Sequence, residues 1–120
     1  IHPRTIKKLS KFGIDTTLSH LPPFGHKDMI AHLSSAELVI TDSGGVQKEA
    51  FFAKTKCITV RTETEWAELI DAGVNCLSSP SEIYDNFKMM NAKKCNFSDQ
   101  FYGNGNAAKI IADKILEFFS

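Results

Sequence analysis

Short apolar segments rich in β-branched residues alternate with helical segments along this chain, and this alternation restricts its fold more than any other feature. The runs 37–41 and 57–60 predict buried parallel strands. A helical pattern follows each run, at 46–54 and at 65–72. Alternation of this kind is typical of an α/β fold in which helices cover both faces of a parallel sheet.

The predicted elements account for most of the chain. Helices are predicted over 5–12, 26–34, 46–54, 65–72, 81–91 and 107–119, and strands over 16–21, 37–41, 57–60 and 75–77. The 120 residues suffice for one compact domain, and only the polar stretch 91–106 resembles a linker. Since a doubly wound half-domain needs further strands before Ile1, residues 1–120 are interpreted as one α/β domain truncated at its N-terminal side. Its sheet would then carry an edge that could pair with another chain.

The charge balance and the cysteine content argue against several classes of protein. Fourteen basic residues equal fourteen acidic ones, so electrostatics gives no reason to expect nucleic acid or an anionic membrane as a partner. No apolar run approaches the roughly 20 residues that cross a bilayer. Three cysteines without a CxxC pair fit a reducing cytoplasm, and four scattered histidines argue against structural zinc. We therefore expect a cytoplasmic protein without metal or cofactor.

The motif DSGGVQKEA at 42–50 lies between a predicted strand and a predicted helix, where open parallel sheets bind ligands. Gly44 and Gly45 let a ligand approach the backbone, and the N–H groups of the helix start favour an anion. Ser43 adds a hydroxyl donor, so the motif predicts a diphosphate cradle. Glu49 shares a helix face with Gly45 and could bind ribose hydroxyls. A tight strand–turn–helix without a ligand fits the pattern equally well.

Further candidates stand near the ends of other elements. Arg4, after His2 and a proline, and Arg61, after the strand 57–60, could each offer a guanidinium to phosphate. Pro23 and Phe24 could form an apolar wall for a flat base. The alternatives are a solvent-exposed Arg4 at a helix start and a loop anchored by a buried Phe24.

Thr64 is predicted to cap a helix that begins at Glu65, and both residues are kept as weaker site candidates. Trp66 is interpreted as an aromatic packing anchor, Lys48 as a surface residue and 89–90 as core filling. No nucleophile–histidine–carboxylate arrangement is visible from the spacing. The residues alone therefore indicate a phosphate or nucleotide site on an α/β half-domain.

Five motifs together resemble the non-hydrolysing UDP-N-acetylglucosamine 2-epimerase family. They are HPRT at 2–5, DSGGVQKEA at 42–50, RTETE at 61–65, AGVN at 72–75 and YGNGNA at 102–107. Their order and spacing match over nearly the whole chain. The resemblance implies a two-domain glycosyltransferase-B architecture with Rossmann-like halves, of which this chain would be most of the second, C-terminal one.

The same resemblance implies roles for the candidate residues. The implied UDP contacts are Ser43, Gly44 and Gly45 on the diphosphate, Glu49 on ribose, Arg4 and Arg61 in the pocket, and Pro23 and Phe24 beside uracil. The family reaction removes the C2 proton of the sugar and expels UDP to form a glycal. UDP then re-adds, and the proton returns to the other face of C2. The acids that handle the sugar would lie mainly in the first domain, so this chain alone is expected to be inactive.

Two departures from the family pattern affect the substrate. Many members have Thr-Glu-Arg-Pro-Glu where this chain has TEWAE at 64–68, a form that resembles a subgroup that includes epimerases for modified UDP-sugars. Many also have Gln-Glu-Glu where this chain has QKE at 47–49. The expected partners are a UDP-sugar (UDP-GlcNAc or a modified UDP-HexNAc) and the missing N-terminal domain, and a homodimer of the full-length protein is left open. A glycosyltransferase, a hydrolysing epimerase and a non-catalytic fragment are the alternative functions.

Overall fold

A computed structural model describes residues 3–15 and 20–120 of the chain. Within these ranges, helices and strands follow one another as the sequence predicts. The helices are α1 (Pro3–Lys11), α2 (His26–Ser35), α3 (Gly44–Phe52), α4 (Ala67–Asp71), α5 (Ile83–Ala92) and α6 (Ala107–Phe119), and the strands are β1 (Leu38–Thr41), β2 (Lys56–Thr59) and β3 (Asn75–Leu77). The strand predicted over 16–21 falls mostly outside the described residues.

The three described strands form a parallel sheet in the order β1-β2-β3. Cys57, Ile58 and Thr59 of the central strand are at most 2% exposed. Successive strand residues point to opposite faces, so both faces of the sheet are covered at β2. The prediction of an α/β fold with a parallel sheet is confirmed.

A hydrophobic cluster of Phe51, Leu69 and Val74 fills the space between α3, α4 and the start of β3. Aromatic side chains from the segment after α5, among them Phe97 and Tyr102, pack against this cluster. The predicted core pair 89–90 is only half right, because Met90 is 1% exposed whereas Met89 is 50% exposed.

The starts of α1, α3, α4 and α5 each lie two residues from the predicted position, and for α3 and α4 the structure shows a local reason. Helix α3 begins at Gly44 instead of residue 46, because Ser43 takes the N-cap position and its hydroxyl accepts a hydrogen bond from the Val46 N–H. Helix α4 begins at Ala67 instead of residue 65, with Trp66 at the N-cap position. Thr64 therefore does not cap this helix, and the predicted cap is wrong.

Helix α6 has the bounds that its spacing predicts, but none of its residues is buried. The expected packing face, which includes Ile111, Ile115 and Phe118, is exposed with respect to the described residues. None of the helices within 3–15 and 20–120 has the length and apolar character that spanning a membrane requires.

Candidate functional site

The candidate site lies at the carboxyl edge of the sheet, where the loops that follow the parallel strands meet. The loop after β1 leads into α3, and the loop after β2 carries residues 60–66. The β1–β2 register aligns Thr41 with Thr59, so both loops leave the sheet at the same level. The fold thereby brings the glycine motif and the Arg61 segment together, although 16 or more residues separate them in sequence.

The start of α3 offers unsatisfied backbone donors. Two hydrogen bonds hold Ser43 in place. Its N–H donates to Thr41 Oγ1 at 3.0 Å, and its hydroxyl accepts from the Val46 N–H at 3.5 Å. Gly44 and Gly45 form the first turn, where N–H groups have no intrahelical acceptor. Among the residues that the structure describes, no acceptor contacts either amide. Two N–H groups at the positive end of the helix dipole are thus free to meet an anion.

Arg61 lies beside this first turn, as its position after β2 predicts. A Cβ atom placed on Gly44 would stand 3.9 Å from Arg61 Nη1 and 3.5 Å from Glu65 Oε2. The guanidinium donates two hydrogen bonds of 3.0 Å to the carboxylate of Glu65. These bonds raise the pKa of Arg61 and lower the pKa of Glu65. A cation and its carboxylate partner therefore border the cradle, both in contact with solvent.

Glu49 lies one turn further along α3, on the side where α2 begins. Its Oε1 atom is 3.8 Å from Nδ1 of His26, the first residue of α2. Phe24, two residues earlier, stacks on His32 with ring centroids 4.3 Å apart and is 39% exposed. Phe24 is therefore not the buried loop anchor of the alternative interpretation. Part of its ring is exposed to solvent, two residues before His26, which lies beside Glu49.

The other candidates remain predictions. Arg4 is exposed in α1, Pro23 is exposed in the loop before α2, and His2 lies outside the described residues.

A buried polar network beneath the cradle was not predicted. Oε1 of Gln47, which is fully buried, accepts hydrogen bonds from Thr64 at 2.7 Å and from Asn75 at 3.1 Å. Asn75 Oδ1 in turn accepts from the Thr59 hydroxyl at 3.0 Å. The network ties the first turn of α3 to β2, to β3 and to the loop after β2. The Thr64 hydroxyl has two roles here, because it donates to Gln47 while its oxygen accepts from the Trp66 N–H at 3.2 Å, ahead of the first residue of α4.

Lys48 is not a simple surface residue, contrary to the interpretation of the sequence. Its Nζ atom lies 4.3 Å from the ring of Trp66 and 4.2 Å from the ring of Tyr102. The Tyr102 hydroxyl donates to Glu68 at 2.7 Å, and this bond lowers the pKa of that carboxyl. Burial and the same bond raise the pKa of Tyr102. Trp66 packs against the hydrophobic cluster as predicted, and its indole N–H also donates to the Gly44 carbonyl at 2.9 Å.

The known proteins that this chain resembles are nucleotide-sugar 2-epimerases. The profile of the family described as UDP-N-acetylglucosamine 2-epimerase matches residues 1–116. The chain is 38% identical over 119 residues to the UDP-2,3-diacetamido-2,3-dideoxy-D-glucuronate 2-epimerase of Pseudomonas aeruginosa, covering 98% of this chain and 34% of that protein. It is 37% identical over 124 residues to the UDP-N-acetylglucosamine 2-epimerase of Methanococcus maripaludis, covering 97% of this chain and 34% of that protein.

A solved structure shows the same likeness in three dimensions. The Methanocaldococcus jannaschii UDP-GlcNAc 2-epimerase, crystallised in complex with UDP-GlcNAc and UDP, superposes with a TM-score of 0.84 at 34% identity. The match covers 98% of this chain and 34% of that one, so the chain spans about a third of the length of the relatives it matches. Profile, sequence and structure agree over nearly all of its residues, and the chain belongs to the UDP-N-acetylglucosamine 2-epimerase family.

Proposed function

We propose that this chain is the UDP-binding, C-terminal part of a UDP-N-acetylglucosamine 2-epimerase. The observation that carries the proposal is the pair of free amides at Gly44 and Gly45 with the guanidinium of Arg61 beside them. Backbone donors, a helix dipole and an arginine are the groups that bind a diphosphate. A relative of the same fold has been solved with UDP-GlcNAc and UDP, which supports UDP as the ligand.

The main candidate residues each take a role in this proposal. The diphosphate binds to the amides of Gly44 and Gly45 and to the Ser43 hydroxyl, while Arg61 moves from Glu65 to the phosphates. Glu49 accepts hydrogen bonds from the ribose hydroxyls, one helical turn away from the diphosphate. The exposed part of the Phe24 ring, with Pro23, borders the uracil. Arg4 and His2 add to the pocket from the segment 2–5.

The proposed contribution to the reaction is electrostatic. When the bond between the sugar and UDP breaks, negative charge develops on the leaving phosphate. Preorganised amides and a cation stabilise that charge without reorganising during the step. The groups that move the C2 proton are expected from the first domain of the complete protein. The chain by itself therefore binds UDP weakly and does not interconvert UDP-GlcNAc and UDP-ManNAc.

The sugar is a second part of the proposal. A relative at 38% identity is named as acting on UDP-2,3-diacetamido-2,3-dideoxy-D-glucuronate. The TEWAE sequence at 64–68 resembles a subgroup that includes epimerases for modified UDP-sugars, which also supports a modified UDP-HexNAc as the substrate of the complete protein. UDP-GlcNAc itself is the alternative, since relatives of comparable identity carry that name.

Titration of the 120-residue chain with UDP tests the proposal. Because Trp66 is the only tryptophan and its indole touches Gly44, its fluorescence reports directly on the cradle. We expect a saturable change with a Kd of about 0.1–10 mM for UDP, which corresponds to roughly 3–5 kcal/mol of binding free energy. Uridine, which lacks phosphates, should bind more weakly. Calorimetric and fluorescence titrations that stay flat up to saturating UDP would favour the non-catalytic fragment.

Incubation of the chain with UDP-GlcNAc tests the proposal that it is inactive by itself. Formation of UDP-ManNAc by the chain alone would overturn the expectation that it is inactive. Hydrolysis to a free sugar and UDP would instead favour a hydrolysing epimerase.

A further inference from the structure

We propose that Trp66 is a positioning residue for the diphosphate cradle, because its indole N–H holds the peptide group between Gly44 and Gly45 in the orientation that binds an anion. The hydrogen bond from Trp66 Nε1 to the Gly44 carbonyl oxygen measures 2.9 Å. The inference rests on the proposed function, since it assumes that the cradle receives the diphosphate of UDP.

The geometry of the peptide group links the two ends of this arrangement. The Gly44 carbonyl and the Gly45 N–H belong to one planar trans peptide, in which the two bonds point in opposite directions. A donor that fixes the carbonyl therefore fixes the direction of the N–H. Donation to the carbonyl oxygen also polarises the peptide, which strengthens the N–H as a donor. Such a restraint matters most here, because a Gly-Gly backbone has more conformational freedom than any other pair.

Trp66 can act in this way because its own position is fixed. Its backbone N–H donates to Thr64 Oγ1 at 3.2 Å, and the Thr64 hydroxyl donates to the fully buried Gln47. The ammonium of Lys48 lies over one part of the indole, and the Tyr102 ring meets it edge-on at 6.0 Å with an interplanar angle of 89°. The indole is thus held through the 60–66 loop, through α3 and through the 97–106 segment.

In this arrangement the indole of Trp66 does not itself contact the ligand. Trp66 supplies no group to the phosphates in this proposal, because its one N–H is used on the carbonyl. Its effect on binding passes through the Gly45 N–H and should concern the diphosphate only. A ligand that lacks phosphates should be indifferent to it.

The test replaces Trp66 by Phe, which keeps an aromatic ring in the cluster but removes the N–H donor. We expect Trp66→Phe to weaken UDP binding by about three- to ten-fold, the usual effect of one neutral hydrogen bond, and to leave uridine binding unchanged. Tyr84→Phe is the matched control, because it removes a ring-borne donor from a side chain that is 70% exposed on α5. Isothermal titration calorimetry measures all three proteins, since the variant lacks the fluorescent reporter.

A second variant and an NMR measurement test the same role without removing the indole. Thr64→Val removes the hydroxyl that holds the Trp66 backbone and keeps the indole, so it should weaken UDP binding in the same direction. In the wild-type protein, the single indole N–H resonance should shift on addition of UDP or inorganic pyrophosphate and stay in place with uridine.

The outcomes separate the two proposals. Wild-type protein that binds neither UDP nor pyrophosphate would overturn the proposed function and this inference with it. Wild-type protein that binds UDP, together with a Trp66→Phe variant that binds it equally tightly, would overturn the positioning role alone. An equal loss of UDP and uridine affinity in the variant would also overturn it, because general loss of packing moves both ligands.

Discussion

Replacing Gly44 by alanine should separate the stability of this chain from its ligand binding. The backbone of Gly44 does not have the positive φ that restricts a position to glycine. An added Cβ would meet Glu65 Oε2 at 3.5 Å, and Arg61 Nη1 and Trp66 Nε1 at 3.9 Å, all ordinary van der Waals distances. Alanine is also the better helix former, by up to about 1 kcal/mol in a helix interior. The free energy of unfolding should therefore be unchanged or slightly higher.

Binding should respond in the opposite direction. The new methyl group lies within 4 Å of Arg61, Glu65 and Trp66, next to the free amides, where the proposed function places a phosphate oxygen. Loss of one charge-assisted hydrogen bond costs about 1.5–3 kcal/mol, which is roughly a 10- to 150-fold increase in the Kd for UDP. Calorimetric titration with UDP measures the Kd, and urea denaturation measures the stability.

Ser34→Ala serves as the control, since Ser34 is exposed near the C-terminal end of α2 and its hydroxyl donates to the Ile30 carbonyl of the same helix. A Gly44→Ala protein that binds UDP as tightly as the wild type would refute the cradle. A variant that loses stability and binding together would refute the geometric argument that the site tolerates a methyl group.

Four further predictions concern Glu65, Leu69 and Cys57. Glu65→Gln should tighten UDP binding by about two- to five-fold at low salt, measured by titration, because it removes a carboxylate beside the cradle and releases Arg61. Arg61 lowers the pKa of Glu65, so this pair stabilises the folded state at neutral pH and loses that effect as the pH falls below the ordinary carboxylate range. The unfolding free energies of the wild type and of Glu65→Gln should therefore converge in acid. Leu69→Ala, at a position with no solvent exposure, should cost about 2–5 kcal/mol in urea denaturation, and a cost under 1 kcal/mol would contradict the core described above. Burial raises the pKa of Cys57 to about 11, so at pH 8 this thiol should react with a disulfide reagent far more slowly than Cys95, and mass spectrometry of the labelled protein would show equal labelling if that is wrong.

The sequence predicts the fold class well because its elements are locally encoded. Each of β1, β2 and β3 contains a short run of apolar residues, and α6 has a strict helical spacing, so the bounds of α6 agree with the structure. The carboxyl-edge rule for parallel sheets places Arg61 beside Gly44 without any knowledge of the coordinates. These features can be predicted from the pattern of neighbouring residues and from the rule that ligands bind at the carboxyl edge of a parallel sheet.

What sequence reasoning missed depends on contacts between distant segments. Tyr102 reaches Glu68 across 34 positions, and Thr64 reaches Gln47 across 17, so no local period signals either bond. Lys48 looks like a surface residue because its neighbours in sequence do not reveal the two rings that enclose it. The predicted cap at Thr64 failed because α4 begins at Ala67, so the Trp66 N–H that Thr64 accepts lies before the helix.

The double covering of β2 has a consequence for how the molecule opens. A strand paired on both sides and shielded above and below can exchange its amide hydrogens only when much of the domain comes apart. Deuterium should therefore enter residues 57–59 last, and the ends of α1 and α6, where no side chain is buried, first. The glycine turn is fastened to this slow-exchanging centre through Gln47 and Asn75, so local fraying at the periphery leaves its geometry intact.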